Sequence, residues 1–238
     1  MTLRINRLVR LNIPSSVYPF LLPLLLAYKS EKVSEKAAID AIDVIESFLF
    51  RRAVVGIEPT GLHAVFKGLW KELAGDDDSI ELDLKLKTDL IMSKIASRTT
   101  VSWPKSPDFT SSIMQGPLYR RKIANYAIRE YEASLDEECP SDISDIEHIA
   151  PQKMNREWAK SIPEDYEKII HTWGNLVPIS KEMNSTASAK PFSEKREGYI
   201  NSKFASVRRL ASLDSWGTED ILRRSKSIAE WACKRWPY

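Results

Sequence analysis

Between Ser34 and Arg52, Ile39, Ile42, Ile45 and Leu49 recur at steps of three and four, with Phe48 beside them. That period puts them on one face of a helix and Asp40, Asp43 and Glu46 on the other. The same spacing returns in Leu62, Val65, Phe66, Leu69 and Trp70 within 61–73, and in Ile123, Tyr126, Ala127 and Tyr131 within 119–135. In that last segment Arg120, Arg121, Lys122, Arg129 and Glu130 point outward. A further helix is expected over 82–97, and a short mixed segment over 106–114. Pro14 and Pro19 argue against one unbroken helix at the start. The first 135 residues are therefore expected to be almost entirely helical, and they contain no Gly-rich phosphate loop.

Several classes are excluded by composition. The longest apolar run, 17–27, carries Pro19 and Pro23 and is too short to span a bilayer. The basic leader before it (Arg4, Arg7, Arg10) is followed by no small-x-small cleavage site. Cys139 and Cys233 cannot build a disulfide framework, and without a CxxC pair they cannot build a cysteine zinc site. Two reduced thiols in a cytoplasmic protein are the simplest reading. Three adjacent aspartates at 76–78 lack the alternating pattern of a calcium loop, and His63 stands alone on its helix. Arg51 and Arg52 suit the negative end of their helix. A net charge of +2 says nothing about nucleic acid, although Lys and Arg outnumber Asp and Glu after Pro151.

After residue 135 the texture changes. An acidic linker (Asp136 to Ser141) leads through Ile143, Ile146 and Ile149 to the pair Glu147-His148, with Pro151 as a terminator. A long connection containing Trp158 and Pro163 follows. Asn175 to Ile179 reads as a strand bounded by Gly174 and Ser180. Ser180 is a cap for a helix with Asn184 in its first turn. A last helix covers 218–236, with Ile221, Ile228 and Ala232 inward and Arg223, Arg224 and Lys226 outward. Strand, connection, strand, helix is the ββα-metal order. A Glu-His dipeptide alone is more often an ordinary surface pair. The ordered set offers more. Phosphodiester hydrolysis needs a deprotonated water and neutralised charge on the phosphorane and leaving oxygen. An imidazole suits the first task, and a hard divalent ion on oxygen ligands suits the others. Glu147 and His148, as strand neighbours, point to opposite faces, so a bend at the strand end is expected to bring them together.

The motifs Glu147-His148-Ile149-Ala150-Pro151-Gln152, His171-Thr172-Trp173-Gly174-Asn175-Leu176, Met183-Asn184-Ser185 and Ser188-Ala189-Lys190-Pro191-Phe192-Ser193-Glu194-Lys195 resemble, as a set, the HNH (His-Me finger) nuclease domain that forms the C-terminal half of GmrSD-type, modification-dependent type IV restriction enzymes. The segments Phe48 to Gly56, Trp103 to Leu135, Tyr199 and Trp216 to Arg224 extend the likeness. Ala189, Trp173 and Val177-Pro178 depart from the family pattern, the last leaving the second strand in question.

The resemblance implies a mainly α fold, with a helical N-terminal region over 1–135 and a ββα-metal (HNH) nuclease core with further helices over 136–238. It implies a metal-dependent DNA endonuclease, nicking or cleaving in anti-phage restriction. His148 is then the general base, Asn175 orients it, and Glu147 and Asn184 hold Mg²⁺, Mn²⁺ or another divalent cation. His171, Lys190 and Lys195 are candidates for DNA phosphate contacts. An Asp-Gly-Gln-Gln-Arg-type motif is absent from the sequence, so a ParB-like NTPase domain or subunit is the expected partner, and no membrane is involved. The competing reading is a catalytically silent HNH-fold module that binds DNA or docks the NTPase subunit.

Overall fold

The computed structural model describes residues 1–75, 81–135, 145–162, 166–180 and 190–238. Among them the regular elements are helices, apart from one two-stranded sheet, so the mainly α expectation holds. By contacts the chain falls into two compact units. One is Met1–Phe109 with Cys233–Tyr238, and the other is Thr110–Ala232. Residues 110–135 thus count with the second unit, whereas sequence texture changes only after 135.

The first unit contains α1 (Thr2–Leu11), α2 (Tyr18–Lys29), α3 (Glu35–Val55), α4 (Leu62–Ala74), α5 (Leu82–Lys85) and α6 (Thr88–Ala96). Ser34 caps α3 by accepting the Ala37 N–H at 3.2 Å. Gly56 ends it at φ 86°, a left-handed conformation that costs glycine little. The helix expected over 82–97 is two, broken at Leu86, which is buried. Phe48 and Phe66 meet edge to face, and Trp103 packs on Phe48.

Three polar side chains on α3 lie deeper than their spacing suggests. Glu46, expected on the wet face, is buried and accepts from Arg235 (2.5 Å) and from Trp236 Nε1 (2.9 Å). Arg51 and Arg52 are buried as well. Arg51 donates to the carbonyls of Trp236 (2.7 Å) and Pro104 (3.0 Å), and lies over the Phe109 ring. Arg52 donates to the carbonyls of Ser102 and Glu58, both at 2.7 Å. These guanidinium groups satisfy buried carbonyls of irregular backbone, a role that hydrophobic periodicity cannot signal.

Further along the chain come α7 (Ser106–Gln115), α8 (Ala124–Leu135), β1 (Asp145–His148), α9 (Trp158–Ser161), α10 (Tyr166–Ile169), β2 (Leu176–Ile179), α11 (Phe192–Tyr199), α12 (Ala205–Leu210) and α13 (Thr218–Arg235). β1 and β2 are antiparallel, with Asp145 opposite Ile179 and His148 opposite Leu176. One more bond, Ile149 N–H to Asn175 O at 3.0 Å, continues the ladder. Hydrogen-bonded and non-bonded pairs alternate along such a ladder. Pro178, opposite Ile146, therefore falls at a non-bonded position, where its missing N–H costs nothing. The strand survives the Val177-Pro178 departure for this reason.

α8 and α12 pack on β2. Ile149, Ala150 and Val177 enter a core with Trp158, Ile170, Phe204 and Trp216. Arg224, expected to face solvent, is only partly exposed, and its Nη1 donates to the carbonyls of Trp173, Gly174 and Leu176 at 3.2, 2.7 and 2.9 Å. Glu130, expected outward, is buried too. The helix expected to follow β2, with Asn184 in it, lies outside the described residues, as do Cys139 and the aspartates at 76–78. Cys233 forms no disulfide among the described residues. No helix among the described residues is long and apolar enough to cross a membrane.

Candidate active site

The period of a strand sends Glu147 and His148 to opposite sides of β1, and they take different partners. Glu147 meets α11: Lys195 Nζ lies 2.6 Å from its Oε1. The same ammonium donates to the His148 carbonyl at 3.0 Å. The Lys195 side chain is fully enclosed and that of Glu147 is 11% exposed. Burial raises the Glu147 pKa and lowers that of Lys195, and the mutual attraction opposes both shifts without cancelling them. This is the expected balance of a buried pair, in which desolvation outweighs pairing. Tyr199 on α11 is also buried, and its hydroxyl has no hydrogen-bond partner among the described residues. Burial, aided by the nearby Glu147 charge, raises its pKa.

On the other side, His148 Nε2 lies 3.1 Å from His171 Nδ1. His148 is 4% exposed and His171 7%. Tyr119 holds both rings: it meets His148 edge-on at 4.3 Å and stacks on His171 at 5.6 Å with planes 10° apart. Its backbone N–H donates to His171 O at 3.2 Å. Burial, followed by the charges of His171 and Lys195, pulls the His148 pKa down to about 3. His171 is also lowered, by burial and then by Arg120, while Glu167 pulls the other way. Both rings are thus neutral near pH 7, and one shared proton satisfies the contact between them.

Asn175 is buried, and all four hydrogen-bonding positions of its amide are used. Oδ1 accepts from Ala150 N–H (2.9 Å) and Trp216 Nε1 (3.1 Å), and Nδ2 donates to the carbonyls of Ala150 and Ile170, both at 2.9 Å. The amide fixes the backbone two residues beyond His148 and bonds no imidazole. Any hold on His148 runs through that backbone and the bond from Ile149 N–H to Asn175 O.

Of the residues read from sequence, the structure brings together His148 with His171, and Glu147 with Lys195. Lys190 is exposed, and its carbonyl accepts from Trp158 Nε1 at 3.1 Å. Asn184 lies outside the described residues. The sequence carries no signal for the contacts of Tyr119 with the two histidines or of Trp216 with Asn175. Tyr119 reads there as the start of a helix, and nothing in the spacing announces a ring shared by two histidines 29 and 52 residues on.

No group of three or more His, Cys, Asp or Glu among the described residues could hold a metal ion. The donors available for a hard cation are the Glu147 carboxylate and, by sequence alone, Asn184. Such a set would leave most of a hard cation's coordination positions to water. Lys195 must then leave Glu147 at least one oxygen.

A family model described as GmrSD restriction endonucleases, C-terminal domain, matches residues 103–231, more than half of the chain. No curated protein matches.

Proposed function

Because this chain belongs to the family of GmrSD restriction endonuclease C-terminal domains, we propose that it is an HNH-type DNA endonuclease that uses a divalent cation and His148 as general base. The observation that carries the reading is the His148–His171 contact at 3.1 Å. In the tautomer that gives the Nε2 proton to His171, the His148 lone pair sits on Nδ1. A neutral imidazole so oriented can take a proton from a water attacking phosphorus. The water oxygen then bonds to phosphorus while the bond to the leaving ester oxygen breaks. The low pKa of His148 makes it a weak base in the free protein. A phosphodiester anion beside the ring favours its charged form and raises that pKa.

Glu147 and Asn184 are the residues that would hold the cation. Once bound, the cation would supply positive charge for the phosphorane and the leaving oxygen. Lys195 favours the ionised carboxylate against burial and aims it in the cation's absence. Asn175 would orient His148 by fixing Ala150. Lys190, on the exposed surface, fits a DNA phosphate contact, whereas Lys195 is enclosed with Glu147. A ParB-like NTPase domain or subunit remains the proposed partner, with a cytoplasmic location.

The buried Lys195–Glu147 pair favours a second reading, since an ammonium stands where the cation is wanted: an HNH-fold module that binds DNA without cutting it. Plasmid cleavage in Mg²⁺ and Mn²⁺ decides between them. The wild type should nick or linearise the plasmid, and His148→Ala should lose about 10²- to 10⁴-fold in rate with its far-UV circular dichroism unchanged. Equal cleavage by His148→Ala would refute the general base. Salt-sensitive DNA binding with no cleavage in any divalent ion would establish the silent module.

A further inference from the structure

The geometry points to a pocket for a single DNA nucleotide, swung out of its stack, beside His171. A recess of about 430 Å³ opens beside His171, within the roughly 300–1,000 Å³ range of small-ligand sites. Met114, Ile169 and Leu222 form apolar walls, and Gln115 and Arg120 stand among them. The inference deepens the nuclease reading and rests on it for the position of the scissile phosphate.

Three observations fix the chemistry of the occupant. The first is access. His148 and His171 are 4% and 7% exposed, so the backbone of a smooth duplex cannot bring a phosphate against these rings. A nucleotide extruded into the recess carries its own phosphate to His171, whose Nδ1 lies 3.1 Å from His148 Nε2. The second is the match of walls to ligand. Apolar side chains receive the faces of a base, and a side-chain amide can address its edge. The Gln115 amide makes no hydrogen bond to another described residue, so it has that capacity to spare. The third is charge. Arg120 lines the recess together with His171, and its charge adds to burial in lowering the pKa of that ring. Arg120 is exposed and makes no ion pair among the described residues. Glu167 also lines the recess and faces the same ring. It offers an acceptor for a base amino group, and Arg120 a cation for the phosphate.

None of these residues belongs to the acid-His or Asn motifs. They come from the end of α7, the turn before α8, α10 and the exposed face of α13, which the fold gathers around His171. The recess therefore adds a nucleotide contact that the motif residues do not supply.

The test uses the full chain in EDTA, where no divalent cation supports cleavage. Short duplexes carry 2-aminopurine at one position each, and their fluorescence and anisotropy are followed as protein is added. One position should brighten several-fold as the base leaves its stack. Leu222→Trp, which fills the recess from an exposed position, should abolish the brightening while anisotropy still reports binding within about twofold. Gln115→Ala should reduce it in a base-dependent manner. Brightening unchanged in Leu222→Trp, binding without brightening at any position, an absence of DNA binding, or a preference for RNA of the same sequence would each overturn the pocket. The nuclease reading is judged separately. A chain that brightens 2-aminopurine but leaves plasmid intact in Mg²⁺ and Mn²⁺ keeps the pocket and loses the nuclease. A chain that cuts plasmid with no brightening does the reverse.

Discussion

Lys195→Met isolates the electrostatics of the site. The ammonium it removes is fully enclosed, sits 2.6 Å from Glu147 Oε1 and 3.0 Å from the His148 carbonyl, and no water can replace it cheaply. Deleting one partner of a buried pair leaves the other charge uncompensated, which costs about 3–5 kcal/mol. The orphaned carbonyl adds about 1 kcal/mol. Replacing both partners by apolar groups is a different perturbation, because burial already opposes each charge more than pairing supports it. Glu147→Met with Lys195→Met should therefore recover most of the loss and end within about 1–2 kcal/mol of wild type. Urea unfolding at pH 7, followed by tryptophan fluorescence, reads both variants. The penalty of Lys195→Met should also shrink in mild acid, where the Glu147 carboxyl takes up a proton. A single-variant cost of only about 1 kcal/mol, typical of an exposed pair, would sink the argument. So would a double variant that loses the sum of its parts.

Further expectations follow from the same contacts. His148 ionises with a pKa near 3 in the folded chain against 6.5 when unfolded, so the unfolded chain binds the proton first as pH falls. Its contribution to stability is complete above about pH 6.5 and declines toward pH 3, by on the order of 4 kcal/mol. The difference between wild-type and His148→Asn unfolding free energies across that window reads it, and a flat difference would contradict the burial argument. Asn175→Ala strands two buried donors and two carbonyls, and should cost at least about 3 kcal/mol in the same assay. Were Asn175 concerned with the imidazole alone, stability would barely move. Gly174→Ala places a Cβ against Ser225 Oγ and the Ile221 carbonyl, nearer than real Cβ atoms come. Because one obstacle is backbone, a loss of about 1–3 kcal/mol is expected in thermal or chemical unfolding.

The sequence by itself determined the helical class, the order of the two strands and the identity of the motif residues. Period-3.6 spacing and strand punctuation are local signals, so α3, α4, α8, β2 and α13 fall close to where they read. Pro14 and Pro19 likewise marked the interruption between α1 and α2. Only the tertiary structure decided what the polar side chains do. Glu46, Arg51, Glu130 and Arg224 all occupy positions that periodicity assigns to water or a helix end. Glu46, Arg51 and Arg224 are drawn in because irregular backbone and other buried groups elsewhere in their units need partners. The same holds at the site. Spacing placed Glu147 and His148 as strand neighbours on opposite faces, and the strand keeps them there, each with its own partner. Burial, with contacts to Lys195, 48 residues on, and His171, 23 residues on, then sets their charge states. Pairings of that length depend on how the chain folds back on itself, and no local pattern encodes them.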